Sequence, residues 1–517
     1  MNANLCRQLA GILIALCAVQ SLPAAISEPV QLDTGLISGV QGRHADVRVF
    51  KGIPFAAPPV GDLRWREPQP PAHWPEVRKC DCFGPIPMQL PVPKGTFYQQ
   101  EYFQDEQPGV SEDCLYLNVW TAAASAKERR PVMVWIYGGG MTRGYGSEPC
   151  FDGEAFARRG VVLLTFNYRL GIFGLFAHPE LSRESAHHVS GNYAELDQIA
   201  ALQWVRRNIA AFGGDPANVT VFGQSAGGAS INRLLVAPQA KGLFQRAISE
   251  SAAVLNSRDS KAKLAEMEQR GVKLAGMLGL RSLADLRALP ATNLLAAADK
   301  VRFDPNIDGW VLPELAVDIF ARGGQQPVPL LLGSTSDEGP YADVKAEIFR
   351  EDMRKRLGDK LDKFLKLYPA GSDAEARDSK HDERGDESFA GERAEARWQA
   401  RLGQPVFLYY FDRKPPGRER ERYGAFHASE LVYVFDNLEA TRRPWEKVDR
   451  KLAELMNAYW INFAAKGDPN GPGLPKWPAY DPQTDISMEL GDHVGPRAAA
   501  DKARLDFIEP LVWREAK

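Results

Sequence analysis

The stretch VTVFGQSAGGAS, residues 219–230, decides the fold of this chain. Strand-type residues run directly into Ser225, and a helical stretch follows at 226–236. A serine between glycines on a strand-to-helix turn is the nucleophile-elbow pattern, and Gly223 and Gly227 suit it because so tight a turn has no room for side chains. The turn would hold the serine oxygen at a helix N-terminus, whose partial charge and free N–H groups favour an oxyanion. The stretch therefore predicts acyl-transfer chemistry.

Strand-like runs alternate with helical stretches on both sides of this turn. In the segment 196–212, apolar residues recur every three or four positions, which is typical of one helix face, and Gly213 and Gly214 end the helix. The alternation predicts the α/β class, with a large, mostly parallel sheet covered by helices on both faces. The strand-like runs are 132–136, 161–166, 219–223, 247–251, 328–333 and 406–411.

The N-terminal segment 1–27 differs from the rest of the chain. Arg7 precedes an apolar run at 9–19, and small residues follow it. This order is typical of a secretory signal peptide, and the run is too short to span a bilayer. We therefore expect cleavage near residues 24–27 and a secreted or periplasmic protein; a buried N-terminal helix is the alternative. No later segment is apolar enough for stable membrane insertion.

Bulk composition points to one ordinary globular unit. The chain has 517 residues, of which 44% are hydrophobic and 25% charged, and its net charge of −3 gives no basic footprint for nucleic acid. No convincing linker divides residues 28–517, so we expect a single domain. The stretch 371–400 carries nine acidic and five basic residues, and the segment 413–423 is also charged. Both are interpreted as solvated surface segments.

Four cysteines remain after the signal peptide: Cys80, Cys82, Cys114 and Cys150. An exported protein can form disulfides, and Cys80 and Cys82 are too close in sequence to close a long loop together. We expect one of these two to pair with Cys114. No second CxxC and no paired-histidine spacing accompanies them, so a zinc site is disfavoured and no metal is expected.

A glycine run follows the strand-like stretch 132–136. Backbone N–H groups approach a ligand closely only where side chains are absent, and a glycine run after an upstream strand is the expected oxyanion loop of this architecture. We expect Gly139, Gly140 and Ala226 to donate three backbone N–H groups. A flexible turn is the alternative interpretation.

A serine nucleophile also needs a base and an acid. Of the eight histidines, His427 lies in a loop after the run 406–411, whereas the others have no comparable setting. The acid should follow a strand between the serine and the histidine in chain order. Asp337 and Glu338 both follow the run 328–333, and both are candidates.

Together these segments resemble the type-B carboxylesterases of the α/β-hydrolase superfamily, the group that also contains the cholinesterases. The matching motifs are FKGIPFAAPPVGDLRW (50–65), SEDCLYLNVW (111–120), WIYGGGM (135–141), NYRLGIFGLF (167–176), GNYAELDQIAALQWVRRNIAAFGGDP (191–216), FGQSAGG (222–228), DEG (337–339), FHASEL (426–431) and WINFAAKGDPN (460–470).

The resemblance implies an α/β-hydrolase fold with insertions that form the pocket. It also implies a serine carboxylesterase acting through an acyl-enzyme on a small-molecule ester, without a cofactor. It favours Glu338 over Asp337 as the acid, with Ser225 as nucleophile and His427 as base. It further implies two structural ion pairs, Arg64–Glu112 and Arg169–Asp197.

Several positions depart from the family pattern. Gln224 stands where Glu is more usual, and no triad role falls to it; Met141 replaces the usual aromatic residue after the glycines. Pro87 occupies the apparent position of the cysteine that pairs with Cys114 in relatives, which leaves two alternatives: Cys80 or Cys82 substitutes for that partner, or Cys114 is free. The segment 83–113 lacks the tryptophan that binds choline by cation–π contact, so a choline ester is disfavoured. The aromatic residues of this segment, Phe97, Tyr98, Tyr102 and Phe103, are interpreted as packing or pocket lining.

Two other functions stay open at this level. An amidase uses the same machinery, and a cholinesterase-like binding protein shares the fold without the reaction. An epoxide hydrolase or dehalogenase is disfavoured because those enzymes place an acid at the elbow, where this chain has Ser225. The sequence assigns no natural ester and no oligomeric state.

Overall fold

The computed structural model describes residues 26–103, 107–255, 262–298, 300–339, 343–498 and 501–516. Residues 1–25 of the expected signal peptide lie outside this part of the chain. Eleven of the described strands form one sheet, and short strands form two smaller ones. The strands are β1 (Val30–Leu32), β2 (Gly35–Ser38), β3 (Val40–Gln41), β4 (Arg48–Pro54), β5 (Arg78–Lys79), β6 (Ile86–Pro87), β7 (Val110–Ser111), β8 (Tyr116–Thr121), β9 (Arg130–Ile136), β10 (Val162–Phe166), β11 (Gly214–Gln224), β12 (Arg246–Glu250), β13 (Leu330–Thr335), β14 (Val406–Phe411), β15 (Ile486–Leu490) and β16 (Val494–Ala498).

The large sheet is parallel at its centre and antiparallel at its edges. Its strand order is β16-β15-β14-β13-β12-β11-β9-β10-β8-β4-β3. The strands from β15 to β10 in this order pair in parallel, whereas β16, β8, β4 and β3 add antiparallel edges. The six strand-like runs of the sequence are central strands, and nearly all of their residues are buried because both faces of the sheet are covered. The predicted mostly parallel sheet is confirmed.

Two groups of helices cover the sheet. Helices α5, α6, α10 and α13 contact one another or the central strands β11 to β14, and a second group of α2, α15 and α16 packs on β8 to β11. The helices are α1 (Phe97–Tyr102), α2 (Glu154–Arg158), α3 (Gly171–Leu175), α4 (Pro179–Glu184), α5 (Tyr193–Asn208), α6 (Ala226–Val236), α7 (Leu264–Met277), α8 (Leu283–Ala288), α9 (Ala291–Ala298), α10 (Ala316–Ala321), α11 (Ala346–Leu357), α12 (Leu361–Leu367), α13 (Asp373–Ala400), α14 (Arg420–Tyr423), α15 (Leu431–Val434), α16 (Lys447–Lys466) and α17 (Lys502–Ala516). None of these described helices combines the length and apolarity that a membrane span needs.

The helix predicted at 226–236 has those bounds in the structure, and α5 with a following 3₁₀ turn covers the one predicted at 196–212. Gly213 ends that turn with a φ of 80°, a left-handed value that glycine adopts freely. The hydrophobic spacing of these segments therefore predicted their structure well.

The interpretation of 371–400 as a solvated surface insertion holds for the largely exposed first half of the stretch and is wrong for the second half. The stretch is the long helix α13, which packs on β13 and β14, and its second half is largely buried. Charged groups of this buried half have partners within the protein: Arg393 pairs with Asp485, and Glu392 and Glu395 accept backbone N–H groups of Ala252 and Val254. A charge count does not distinguish such partnered groups from solvated ones.

The segment 413–423 is only partly a surface loop. Its first residue, Arg413, has a side chain that is 3% exposed and pairs with Asp449, Glu446 and Asp492. Its last residue, Tyr423, ends helix α14 and stacks on an aromatic ring. Both ends of the charged segment are therefore fixed to the body of the protein.

The expected disulfide is wrong for this structure, in which the four described cysteines are unpaired. Cys80 is buried at the end of β5, where its N–H donates to the carbonyl of Ser38. Cys114 is buried elsewhere, and Pro87 lines the same small cavity as its side chain. Pro87 thus occupies the space beside Cys114, and Cys82 is exposed.

The two ion pairs implied by the family resemblance are present. Arg169 donates from Nε and Nη2 to the two carboxylate oxygens of Asp197, at 2.8 Å each, and both side chains are almost fully buried. Arg64 binds Glu112 in the same two-pronged manner. Buried pairs of this kind fix geometry more than they add net stability.

Candidate active site

The turn at Ser225 is a strained junction between β11 and α6. Ser225 has φ 57° and ψ −124°, an unusual conformation for a residue other than glycine. Its N–H donates to the carbonyl of Glu250 at 2.9 Å, and its carbonyl accepts from the N–H of Ala229 at 2.9 Å. Strain of this kind persists only where the surroundings over-determine it. The adjacent strand β12 and the first turn of α6 provide that support.

Close packing of the turn against β9 explains its glycines. A Cβ at Gly227 would lie 1.9 Å from the carbonyl oxygen of Ile136, and a Cβ at Gly223 would lie 2.5 Å from the same atom. Gly138, two residues beyond Ile136, is confined in turn: its Cβ would lie 3.0 Å from the Cβ of Ser225. The sequence prediction that side chains have no room here agrees with this geometry.

The glycine loop after β9 brings backbone donors to Ser225. Gly139 and Gly140 have φ values of 95° and 65°. Within the part of the chain that the structure describes, the N–H groups of Gly139, Gly140 and Ala226 donate to no protein acceptor. Gly140, Ser225 and Ala226 line one cavity, so free donors and the serine hydroxyl face the same space. This arrangement can accommodate a negatively charged oxygen.

The structure brings His427 and Glu338 into direct contact. Nδ1 of His427 lies 2.5 Å from Oε2 of Glu338. The other carboxylate oxygen of Glu338 accepts from the N–H and the hydroxyl of Thr335, both at 3.0 Å. The carboxylate is thus fixed at the end of β13, and the imidazole is oriented by it.

The pKa values of the two groups follow from this contact. Burial would lower the pKa of His427, but the charge of Glu338 and the hydrogen bond to it hold the pKa above its ordinary 6.5. Burial would raise the pKa of Glu338, but the imidazole and the donated hydrogen bonds keep it below its ordinary value. Glu338 is therefore ionised at neutral pH, and it stabilises an imidazolium.

Asp337, the other candidate acid, has different partners. It accepts from the backbone N–H of Ala425 at 2.7 Å and from the hydroxyl of Ser336, and it lies 3.2 Å from Nε2 of His381. Its backbone also forms an isolated bridge with Phe426. Asp337 therefore connects the loop after β13 to the loop that carries His427, without contacting the imidazole of His427 by a hydrogen bond.

Gln224 is a site residue to which the sequence analysis gave no role. Its side-chain amide nitrogen lies 3.3 Å from Nε2 of His427 and 3.5 Å from Nδ1. The hydroxyl of Ser225, by contrast, makes no hydrogen bond to any described protein group. Catalytic hydrogen bonds are commonly long or unformed without substrate. The sequence held one signal for Gln224: a glutamine stands next to the serine, where the family more usually has Glu.

A single cavity of about 830 Å³ contains Ser225, Glu338 and His427. Leu175, Leu255, Phe303 and Val317 contribute apolar walls, whereas Arg302 and Arg384 add charged groups. The size lies within the range of small-molecule sites. No cluster of metal-ligating side chains occurs among the described residues.

Comparison with known proteins identifies the family. The carboxylesterase family model matches residues 27–367 and 389–508. A fumonisin B1 esterase from Sphingopyxis macrogoltabida is 38% identical over 486 residues, covering 89% of this chain and 86% of the relative. A para-nitrobenzyl esterase from Bacillus subtilis is 38% identical over 474 residues, covering 87% and 92%. A solved PNB esterase structure superposes with a TM-score of 0.79 at 34% identity, covering 93% of this chain and 99% of that one.

The chain belongs to the carboxylesterase family and has the α/β-hydrolase fold. It is a carboxylic ester hydrolase, as the family and the named esterase relatives support. The resemblance seen in its motifs is confirmed. The match leaves out residues 368–388, which include the first half of α13.

Gly227→Ala tests the close packing of the turn. Its Cβ would overlap the carbonyl oxygen of Ile136, so the turn must shift, and a displacement near 1 Å can cost about 10²-fold in rate. We expect that loss in kcat for a p-nitrophenyl ester, together with a lower Tm. Gly276→Ala in α7 is the control, because its Cβ meets nothing within 4 Å and alanine favours a helix. Full activity in Gly227→Ala would contradict the packing argument.

Proposed function

We propose that this protein hydrolyses carboxylic esters through a triad of Ser225, His427 and Glu338. The contact between Nδ1 of His427 and Oε2 of Glu338, in the cavity that also holds the Ser225 hydroxyl, is the observation that carries the proposal. Serine, oriented imidazole and carboxylate are the parts that acyl transfer requires.

In the proposed reaction, Nε2 of His427 removes the hydroxyl proton while Ser225 Oγ attacks the ester carbonyl carbon. The resulting oxyanion accepts from the N–H groups of Gly139, Gly140 and Ala226, each worth roughly 3 kcal/mol of transition-state stabilisation. The imidazolium returns the proton to the alkoxide oxygen as the bond to the acyl carbon breaks. Water then attacks the acyl-enzyme with the same base, which releases the acid and restores Ser225.

The free position of the Ser225 hydroxyl is compatible with this step. In the proposed step the hydroxyl donates to Nε2 of the imidazole, and the amide of Gln224, now 3.3 Å from that nitrogen, moves away from it. Glu338 stays ionised throughout and stabilises the imidazolium by charge and hydrogen bond, without taking up the proton itself.

We propose a bulky, largely apolar ester as substrate. The cavity of about 830 Å³ is large for an acetate ester, and its walls include Leu175, Phe303 and Val317. The names of the two relatives indicate that one acts on fumonisin B1 and the other on para-nitrobenzyl esters. A panel that varies acyl length and alcohol bulk separately would define the preference of this chain.

We also propose that the protein is exported. The order of a basic residue, a short apolar run and small residues in the segment 1–27 supports a signal peptide. Fractionation of cells that express the full chain tests this: the proposal requires mature protein that lacks about the first 27 residues, outside the cytoplasm.

Matched p-nitrophenyl ester and p-nitroanilide substrates test the reaction and its selectivity. We expect ester hydrolysis by the native chain and little anilide hydrolysis. Ser225→Ala should lower kcat for the ester by about 10⁴-fold or more, because the nucleophile is removed. Its circular dichroism spectrum and Tm should stay native. Turnover by Ser225→Ala near the native rate would contradict the proposed nucleophile, and faster anilide cleavage would favour an amidase.

The pH profile distinguishes the two neighbouring acids. Because Glu338 raises the pKa of His427, kcat/KM should fall as pH drops through a midpoint above 6.5. In Glu338→Gln that midpoint should move to lower pH, since the charge of Glu338 no longer opposes the effect of burial, and kcat should fall about 10⁴-fold. Asp337→Asn is the control and should keep its midpoint near that of the native chain. The reverse ranking would assign the acid to Asp337.

A further inference from the structure

Helix α1 lies against the loop that carries His427. The hydroxyl of Tyr102 donates to the carbonyl of Ala428 at 2.8 Å, and the hydroxyl of Tyr98 donates to the carbonyl of His427 at 3.2 Å. Two tyrosines of one helical turn thus bind two consecutive carbonyls of a segment more than 300 residues away in sequence. One of these hydrogen bonds is made to the backbone of His427, and the other to the residue that follows it.

The loop needs such support because its backbone is strained. Ala428 has a φ of 75°, a left-handed value that residues with a Cβ adopt rarely and at an energetic cost. Its carbonyl accepts from Tyr102 and also from the N–H of Leu431 at 3.2 Å. Without the hydroxyl, one of the two bonds that fix this peptide is lost, immediately next to His427.

Further contacts attach α1 to the same loop. The ring of Phe97 stacks on Tyr423 at 3.8 Å and meets Phe426 edge-on at 4.8 Å, measured between ring centroids. Glu101 forms a two-pronged ion pair with Arg443, with N–O distances of 2.6 and 2.9 Å, and the guanidinium of Arg443 lies over the ring of Phe426. The aromatic contacts of Phe97 and the ion pair of Glu101 therefore add to the attachment that the two tyrosine hydroxyls make.

No covalent bond contributes to this attachment within the described part of the chain. The insertion that contains α1 also contains Pro87, and the described cysteines before and after it are unpaired. The position of α1 over the histidine loop thus depends on noncovalent contacts, of which the tyrosine hydroxyls are the ones that reach residues 427 and 428 directly.

We propose that α1 positions the base, with Tyr102 as the principal positioning residue and Tyr98 as the weaker one. The inference rests on the proposed function of His427. Glu338 is fixed independently by the N–H and the hydroxyl of Thr335, so a displacement of the His427 backbone lengthens the contact between Nδ1 and Oε2. We therefore expect slower ester hydrolysis and a weaker hydrogen bond between Glu338 and His427.

Tyr102→Phe tests the proposal, with Tyr459→Phe as the matched control. Tyr459 also donates its hydroxyl to a backbone carbonyl, that of Pro475 at 2.7 Å, in α16 and away from the cavity. We expect Tyr102→Phe to lower kcat for a p-nitrophenyl ester about tenfold with KM within twofold, because small displacements of a base are costly. Tyr459→Phe should keep kcat, and Tyr98→Phe should show a smaller loss than Tyr102→Phe.

A second readout does not depend on turnover. The protein labelled with ¹³C at Cε1 of its histidines allows His427 to be titrated by NMR, with His427→Gln identifying its signal. In Tyr102→Phe the pKa of His427 should fall relative to the native chain, because the contact with Glu338 that raises it is weakened. In Tyr459→Phe it should not change.

The outcomes separate this inference from the proposed function. A lower Tm in Tyr102→Phe with native kcat and native His427 pKa would overturn the positioning role and leave only packing. A shifted pKa in a protein that hydrolyses no ester would support the positioning role and overturn the proposed function. Loss of kcat together with the shifted pKa supports both.

Discussion

The backbone contact between β9 and the turn at Ser225 is the constraint on which the site depends. The carbonyl oxygen of Ile136 lies where side chains of Gly223 and Gly227 would otherwise be. The same strand continues into the glycine loop that provides N–H groups beside the serine. One close approach therefore sets the distance between Ser225 and the backbone N–H groups of the glycine loop. The strained φ of Ser225 is tolerated because strands on both sides and the first turn of α6 hold the turn.

Three buried carboxyl groups, those of Glu250, Glu338 and Glu430, differ in protonation state because their environments differ. Burial raises the pKa of Glu250 to about 8 and that of Glu430 well above its usual value, so both are largely protonated at neutral pH. Glu338 alone of these three has a lowered pKa, because it contacts the imidazole and accepts hydrogen bonds from Thr335. The negative charge is thereby concentrated on the carboxylate that contacts the imidazole of His427. Ser251 lies between Glu338 and Glu430 and contacts both.

The central sheet and the elbow were predictable from the sequence because both leave a local pattern in it. Continuous apolar runs marked the parallel strands, and the glycine spacing around Ser225 marked the turn. The choice of Glu338 over Asp337 came from the family resemblance, since adjacent carboxyl groups on one turn look alike without coordinates. Gln224 and Tyr102 were not given roles, because their partners, His427 and Ala428, are brought near only by tertiary structure.

The same reason explains the errors. Helix α13 is rich in charge and was interpreted as solvated, but its arginines and glutamates find partners on α17, on the loop after β12 and elsewhere. The expected disulfide presupposed that two cysteines would be neighbours, whereas Pro87 lies beside Cys114. Local composition does not show which residues distant in sequence become neighbours, because the tertiary structure determines those contacts.

The most direct test of the account is the covalent intermediate. Rapid mixing with a slowly deacylated p-nitrophenyl ester, followed by acid quench and peptide mass spectrometry, shows where the acyl group resides. The account predicts a burst of one p-nitrophenol per chain, one acyl group on Ser225, and neither in Ser225→Ala. Ester hydrolysis without an acyl-enzyme, or an acyl group on another residue with the same burst, would contradict it.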